Sequence, residues 1–219
     1  MTFPKWRQSL ARSLHVQRSK PESKFFQVAN AYISNESQNG RDIVVENRTM
    51  VFRGFAQDNH TLLAISDDRS DKVWQWQQTQ NSQLCWYFTK TREQYRISAK
   101  VSMIGKNGLH FESSITQKDE IDRNAYTDTS SQASRNLLWS NLSGKAKAQF
   151  YWPTPKENVR TIETNIEAND KITSEIPDNF IVVCFQPFYV DYLNLTTDPQ
   201  TREIHKLTDA KWLYNAVNP

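Results

Sequence analysis

Two features of the sequence have the residue types and spacing to do chemistry. The first is a β-branched run, I-V-V-E-N-R-T-M-V-F-R over residues 43–53, that carries Arg48 and Arg53. The second is the polar stretch S-D-D-R-S-D-K over 66–72, which follows the apolar run T-L-L-A-I-S over 61–66. Residues 66–80 are expected to form a helix, with Ser66, Asp67, Asp68 and Ser70 crowding its start as capping groups do. A helix start offers free N–H groups and a positive dipole end, so it attracts phosphate. Arg48, Ser66, Arg69, Ser70 and Lys72 would then supply a fork, hydroxyls and point charges around one anion. The same residues also allow a plainer structure, a capped helix with Arg69 and Lys72 solvated and Arg48 paired to an acid such as Glu46. Both readings stand on the residues alone.

Other chemistries find no support. The chain of 219 residues has only five glycines, at 40, 54, 105, 108 and 144, so neither G-x-G-x-x-G nor a Walker loop can be built. Cys85 and Cys184 lie far apart in apolar runs and are expected to be reduced thiols. His15, His60, His110 and His205 show no metal-ligand spacing, so no metal is expected. No side chain stands out as a catalytic acid, base or nucleophile. The formal charge is +3, and it comes largely from Lys5, Arg7, Arg12, Arg18 and Lys20. Trp74, Trp76, Trp86 and Trp139 lie among Gln, Asn and acids rather than beside a basic stripe, so nucleic acid is not an expected partner. No run is apolar enough to cross a bilayer, and the cysteine usage suits a reducing cytoplasm.

The elements that must position these residues follow from periodicity. Trp6, Leu10 and Leu14 recur at helical spacing, which predicts an N-terminal helix packing that stripe inward rather than a transit peptide. Strands are expected over 25–33, 43–55, 61–66 and 84–89, and over 94–104, where Tyr95, Ile97, Ala99, Val101 and Met103 alternate with polar residues. A strand at 109–115 would pair back on it. Helix is expected over 119–150, and a surface excursion over 156–178. Strands return at 180–185, 189–195, 202–207 and from Trp212 to Val217. These short strands and three helices with no linker make one domain, 1–219, a mainly β (α+β) barrel with flanking helices.

Several motifs in register carry a resemblance. R-T-M-V-F-R-G-F, S-D-D-R-S-D-K and R-E-Q-Y-R-I-S-A-K-V fall in the order and spacing of the pyridoxamine 5'-phosphate oxidase-like proteins. The chain is most similar to a branch found in cyanobacteria and plants. That branch has W-Y-F-x-x-T-R-E-Q-[YF]-R, W-x-x-L-S, Q-F-x-W-P and a terminal W-x-x-x-x-V-N-P. Here these are Trp86–Arg96, Trp139–Ser143, Gln149–Pro153 and Trp212–Pro219, so the likeness spans nearly the whole chain.

The resemblance implies an FMN-binding split β-barrel, a homodimer with flavin at the subunit interface, and FMN-dependent oxidation of a small molecule. It implies that Arg48, Thr49, Met50 and Val51 hold FMN from one strand, and that Ser66, Ser70 and Lys72 lie at its phosphate. Gln94 is implied beside the flavin ring, with Arg202 and Ser143 as looser matches. Three departures follow. The arginine of the family's S-R-K is Asp71 here, so Arg69 would have to supply that charge. Arg53 replaces the lysine that reaches a substrate phosphate, and Tyr126 is the counterpart of a substrate tyrosine. The family's R-L-H triplet is absent, since Pro199-Gln200-Thr201 precede Arg202 and His205 follows it. The flavin site is therefore expected to be kept and the vitamin B6 pocket altered. The alternative is a flavin-binding protein without catalysis, a store or sensor.

Overall fold

The computed structural model describes residues 3–37, 40–109, 128–158 and 175–219. Expected elements at 110–127 and 159–174, with Tyr126 and most of the 109–115 strand, lie outside the described residues. The described chain forms two compact units. One comprises residues 1–64, 75–101 and 185–219; the other comprises 65–74 and 102–184.

The first unit begins with α1 (Lys5–Val16), whose Trp6 and Leu10 are buried. Its third inward seat is taken by Ser13 rather than by the expected Leu14, which is only half-buried. Ser13 can sit there because its hydroxyl is fully used: it donates to Glu93 Oε2 at 2.6 Å and lies 3.1 Å from Tyr95 Oη. β1 (Phe25–Ser37) and β2 (Gly40–Val51) form a long antiparallel hairpin in which Val28 faces Arg48 and Phe26 faces Met50. Gly54, at a φ of 139° that other residues adopt only with strain, starts the short β3 (Gly54–Phe55). β3 pairs with the start of β4 (Leu62–Asp67).

β5 (Asn81–Phe88) lies between β1 and β6 (Glu93–Gly105), with Trp86 opposite Tyr95. The Trp86 ring is the centre of the core, within 5.2–5.3 Å of Phe26, Phe52 and Phe88. Its buried indole N–H is satisfied by the Ser23 carbonyl at 2.9 Å. Residues 180–194, expected as two strands, form one strand, β8 (Phe180–Asn194), that runs through Pro187. Its ladder with β9 (Thr201–Thr208) begins at Tyr189, so the missing N–H of Pro187 leaves that ladder intact. β10 (Lys211–Val217) closes the order β10-β9-β8-β6-β5-β1-β2.

The second unit holds β7 (Gly108–Leu109), α3 (Asp128–Ser140) and α4 (Gly144–Ala148). Among the described residues the expected 119–150 helix is divided into α3 and α4, the second begun where Ser143 caps it by accepting from Ala146 N. Trp139, Phe150 and Phe180 stack edge to face at 5.0–5.7 Å and form its apolar centre. Trp76, Trp86 and Trp139 are all core residues, and only Trp74 of the four tryptophans considered above is exposed.

Candidate functional site

Arg48 lies near the C-terminal end of β2 with its side chain 17% exposed. Its guanidinium donates to Asn30 Oδ1, to Gln75 Oε1 at 2.9 Å and to Glu46 Oε2 at 3.2 Å, and it lies over the Trp76 ring. The Glu46 pairing anticipated as the plainer reading is therefore present. Two of the three acceptors are neutral amides, so the cation is positioned with one half-exposed carboxylate against it. Burial draws its pKa down and Glu46 draws it up, with a net lowering that leaves an arginine charged at any physiological pH. Thr49 beside it is exposed, Met50 is buried and Val51 is half-buried, and Arg53 is exposed just past the strand.

The expected 66–80 helix begins only at Asp71: α2 covers Asp71–Gln78. Ser66 and Asp67 are still strand, and the reason is the Asp67 carboxylate. It accepts from Arg69 N at 2.9 Å, from Arg69 Nη2 at 2.6 Å and from Asn179 Nδ2 at 2.9 Å, folding 67–70 into a turn before the helix can start. Burial raises the Asp67 pKa, but the Arg69 and Asn179 hydrogen bonds outweigh it and hold the group ionised. Arg69 also donates to the Trp152 carbonyl at 3.2 Å. Its guanidinium thus fastens the turn, and Asp71 pairs with Lys156. The Ser70 hydroxyl, the Lys72 ammonium and the first N–H groups of α2 lie at this turn, donor types that fit a phosphate, while the Ser66 hydroxyl donates to the Asp67 carbonyl at 3.2 Å.

The remaining residues sit as follows. Gln94, opposite Tyr87 on β5, donates to Cys85 Sγ at 3.4 Å. Arg202 donates to Asp191 Oδ1 at 2.9 Å and Oδ2 at 2.7 Å, and Arg96 pairs with the same carboxylate. Ser143 is the α4 cap. The structure thus brings Arg202 to Arg96 and Asp191, a grouping that spacing along the chain does not show because it joins positions 96, 191 and 202. His205, the histidine nearest the missing R-L-H, is 1% exposed and stacked on Tyr214 at 5.5 Å, with Glu203 Oε2 at 3.2 Å. Burial is the largest influence on it and lowers its pKa, so it is a neutral core residue at pH 7. Among the described residues no cluster of three metal-ligating side chains occurs and no helix is long and apolar enough to cross a membrane.

Comparison with known proteins places these residues in context. Residues 3–105 match the family model "Pyridoxamine 5'-phosphate oxidase, FMN-binding domain". The chain is similar to the pyridoxine/pyridoxamine 5'-phosphate oxidase 2 of Arabidopsis thaliana, 25% identical over 98% of this chain and 96% of that one. It is also similar to a pyridoxamine 5'-phosphate oxidase-related, FMN-binding protein of Nostoc punctiforme, with 32% identity, full coverage of both chains and a TM-score of 0.76. PhzG of Burkholderia lata, solved with tetrahydrophenazine-1-carboxylic acid, shares the fold at a TM-score of 0.68 and 14% identity over 98% of its chain.

Proposed function

Because the chain belongs to the pyridoxamine 5'-phosphate oxidase-like FMN-binding split-barrel family, we propose that it is an FMN-dependent oxidoreductase whose substrate is not a vitamin B6 phosphate. The donor set at the turn between β4 and α2 is the observation that best supports the cofactor assignment. In this reading Ser66, Ser70 and Lys72 hold the FMN phosphate, Arg48 adds a positioned cation, and Thr49, Met50 and Val51 present the strand edge. Gln94, Ser143 and Arg202 are further contacts, Arg53 and Tyr126 are on the substrate side, and Arg69 shapes the phosphate turn. Bound flavin supplies the two-electron chemistry, and the protein supplies position and charge.

The substrate assignment rests on what replaces R-L-H. Pro199, Gln200 and Thr201 provide no cation, and the His205 imidazole is buried. Oxidation of pyridoxamine 5'-phosphate, followed by peroxide release under air, is expected to run at least about a hundredfold below that of a family enzyme with the triplet. Losing two polar contacts of about 1.5 kcal/mol each accounts for that factor. A rate equal to such an enzyme's would overturn the substrate assignment. The same buried histidine favours a second reading, a flavin store or sensor. Turnover of any reductant by the FMN-loaded protein would exclude it.

We further propose a homodimer, with the outer face of the β1–β2 hairpin against a second copy. Ile43 and Val45 are 76% and 66% exposed there, and Ile43 faces the exposed Ile33 across the ladder. Such a cluster on an edge strand needs a cover. Val45→Arg is expected to raise the dimer dissociation constant by about a hundredfold or more, since a twofold axis would bring in two charges at once. Light scattering after gel filtration reads it; a mutant that stays dimeric at the wild-type concentration would place the interface elsewhere.

A further inference from the structure

Residues 1–21 contain no acid and neither do residues 72–92, and the fold brings the ends of these two stretches together within the first unit. The C-terminal half of α1 lies along the turn that joins β5 to β6. At one end of this seam the Arg12 guanidinium and the Ser13 hydroxyl meet Glu93. At the other, Gln17 Oε1 accepts from Thr89 Oγ1 at 3.1 Å and from Lys90 N at 3.2 Å. Arg18 and Lys20 come next, with Lys20 N donating to the Gln17 carbonyl at 2.9 Å. Five exposed cations, Arg12, Arg18, Lys20, Lys90 and Arg92, therefore line one seam. Glu93 and Tyr95 point inward there, so strand alternation puts Gln94 on the opposite face of β6.

The charge is left uncancelled. Glu93 is the carboxylate of the seam, and it is 1% exposed and already engaged by Arg12, Ser13 and Tyr192. Among the described residues no carboxylate lies against Arg18, Lys20, Lys90 or Arg92. Glu22, past Pro21, is the next acid along the chain. Five cations against one carboxylate exceed the +3 of the whole chain, so the rest of the molecule is slightly acidic on balance. A donor is unmet as well. Gln17 is 3% exposed, and its Nε2, on the carboxamide that receives Thr89 and Lys90, has no acceptor among the described residues.

The surroundings select the kind of anion. Among the described residues no large exposed hydrophobic side chain falls within 12–20 or 89–93. The seam thus offers no ring for a nucleic-acid base to stack on and no anchor to enter a lipid layer. From Arg12 to Gln17, where Lys90 docks, α1 rises about 7.5 Å. Alternate side chains of an extended peptide are about 7 Å apart, a close match.

We propose that this seam docks an acidic segment of another polypeptide in extended form. Its alternate carboxylates lie on Arg12 and Arg92 at one end and on Lys90, Arg18 and Lys20 at the other, with Gln17 Nε2 as a further donor. None of these residues is among those assigned to the flavin.

The test is an N-acetylated, fluorescently labelled octaglutamate titrated into the protein as purified and followed by anisotropy, at about 0.15 M salt so that distant charges are screened. Saturable binding is expected, weakened about tenfold or more by Arg18→Glu combined with Lys90→Glu. Lys206→Glu combined with Lys211→Glu alters the net charge equally, on β9 and β10, and is expected to weaken binding far less. The melting temperature reports whether each variant is folded. If the reversal pair melts early, Lys20→Gln with Lys90→Gln, which removes charge without adding any, is expected to show a loss at the same salt. Absence of saturable octaglutamate binding, or equal weakening by the two reversal pairs, would overturn the seam as a docking site. Tighter binding of oligothymidylate, or of phosphatidylserine vesicles, than of octaglutamate would overturn the polypeptide assignment.

Discussion

Lys72→Ala is expected to weaken FMN binding by about ten- to a hundredfold while changing riboflavin binding much less. A charge-assisted bond to phosphate in a partly buried site is worth about 1.5–3 kcal/mol, and about 1.4 kcal/mol is a factor of ten. Riboflavin has the same ring without the phosphate, so the difference between the two ligands isolates that bond. Arg48→Ala is expected to behave differently. Its guanidinium also joins Asn30, Glu46 and Gln75, so its removal strands buried amide oxygens and lowers the melting temperature of the flavin-free protein. Riboflavin affinity then falls with FMN affinity, but by less if Arg48 also touches phosphate. Flavin fluorescence quenching measures both. Equal losses of the two ligands in Lys72→Ala would remove Lys72 from the phosphate site, and equal losses in Arg48→Ala would make Arg48 a structural ion-pair partner only.

The largest stability effect is expected at Glu93. This carboxylate is 1% exposed, and it accepts from the Ser13 hydroxyl at 2.6 Å, the Tyr192 hydroxyl at 2.5 Å and the Arg12 guanidinium. It therefore ties α1 to β6 and β8 by one group. Glu93→Ala leaves the buried Tyr192 hydroxyl without its acceptor, leaves Ser13 only the Ser9 carbonyl at 2.9 Å, and opens a cavity, a cost of about 3–5 kcal/mol. At this chain length that is about 6–20 °C in melting temperature. Burial alone would raise the Glu93 pKa, but the hydrogen bonds and Arg12 prevail and hold it below its ordinary value of 4.5. A lowered folded pKa stabilises the protein fully above the unfolded value and is lost as pH falls through the folded one. Wild-type stability should thus drop below about pH 4.5, and Glu93→Gln should flatten that part of the curve. Chemical denaturation at several pH values checks both; an unchanged slope in Glu93→Gln would show that other carboxylates set the acid limit.

Most strands were legible because their periods are long and clean. The alternation from Tyr95 to Met103 marks β6 unmistakably, and the aromatic content of 25–33 marks β1. What escaped reading was set by tertiary partners. The helix start at Asp71 instead of Ser66 depends on Asn179, more than a hundred positions away, reaching the Asp67 carboxylate. Continuity of β8 through Pro187 depends on where its neighbour's ladder begins. At the candidate site, Arg48 and the 66–72 donors could be picked out by residue type, and the motifs supplied the rest. Glu93 stood one position from Gln94 in the same motif and was passed over. Its partners lie at positions 12, 13 and 192, and no local pattern announces a buried carboxylate. Asp191, which gathers Arg96 and Arg202, was missed for the same reason.

The central claim, that this chain is an FMN protein, is tested most directly by the flavin released from the purified protein. After denaturation the supernatant is separated chromatographically and compared with FMN, FAD and riboflavin standards. Stoichiometric FMN is the expected result, recovered on purification or after reconstitution of the stripped protein with the three flavins together. Release of FAD, or of no flavin even after reconstitution, would contradict it.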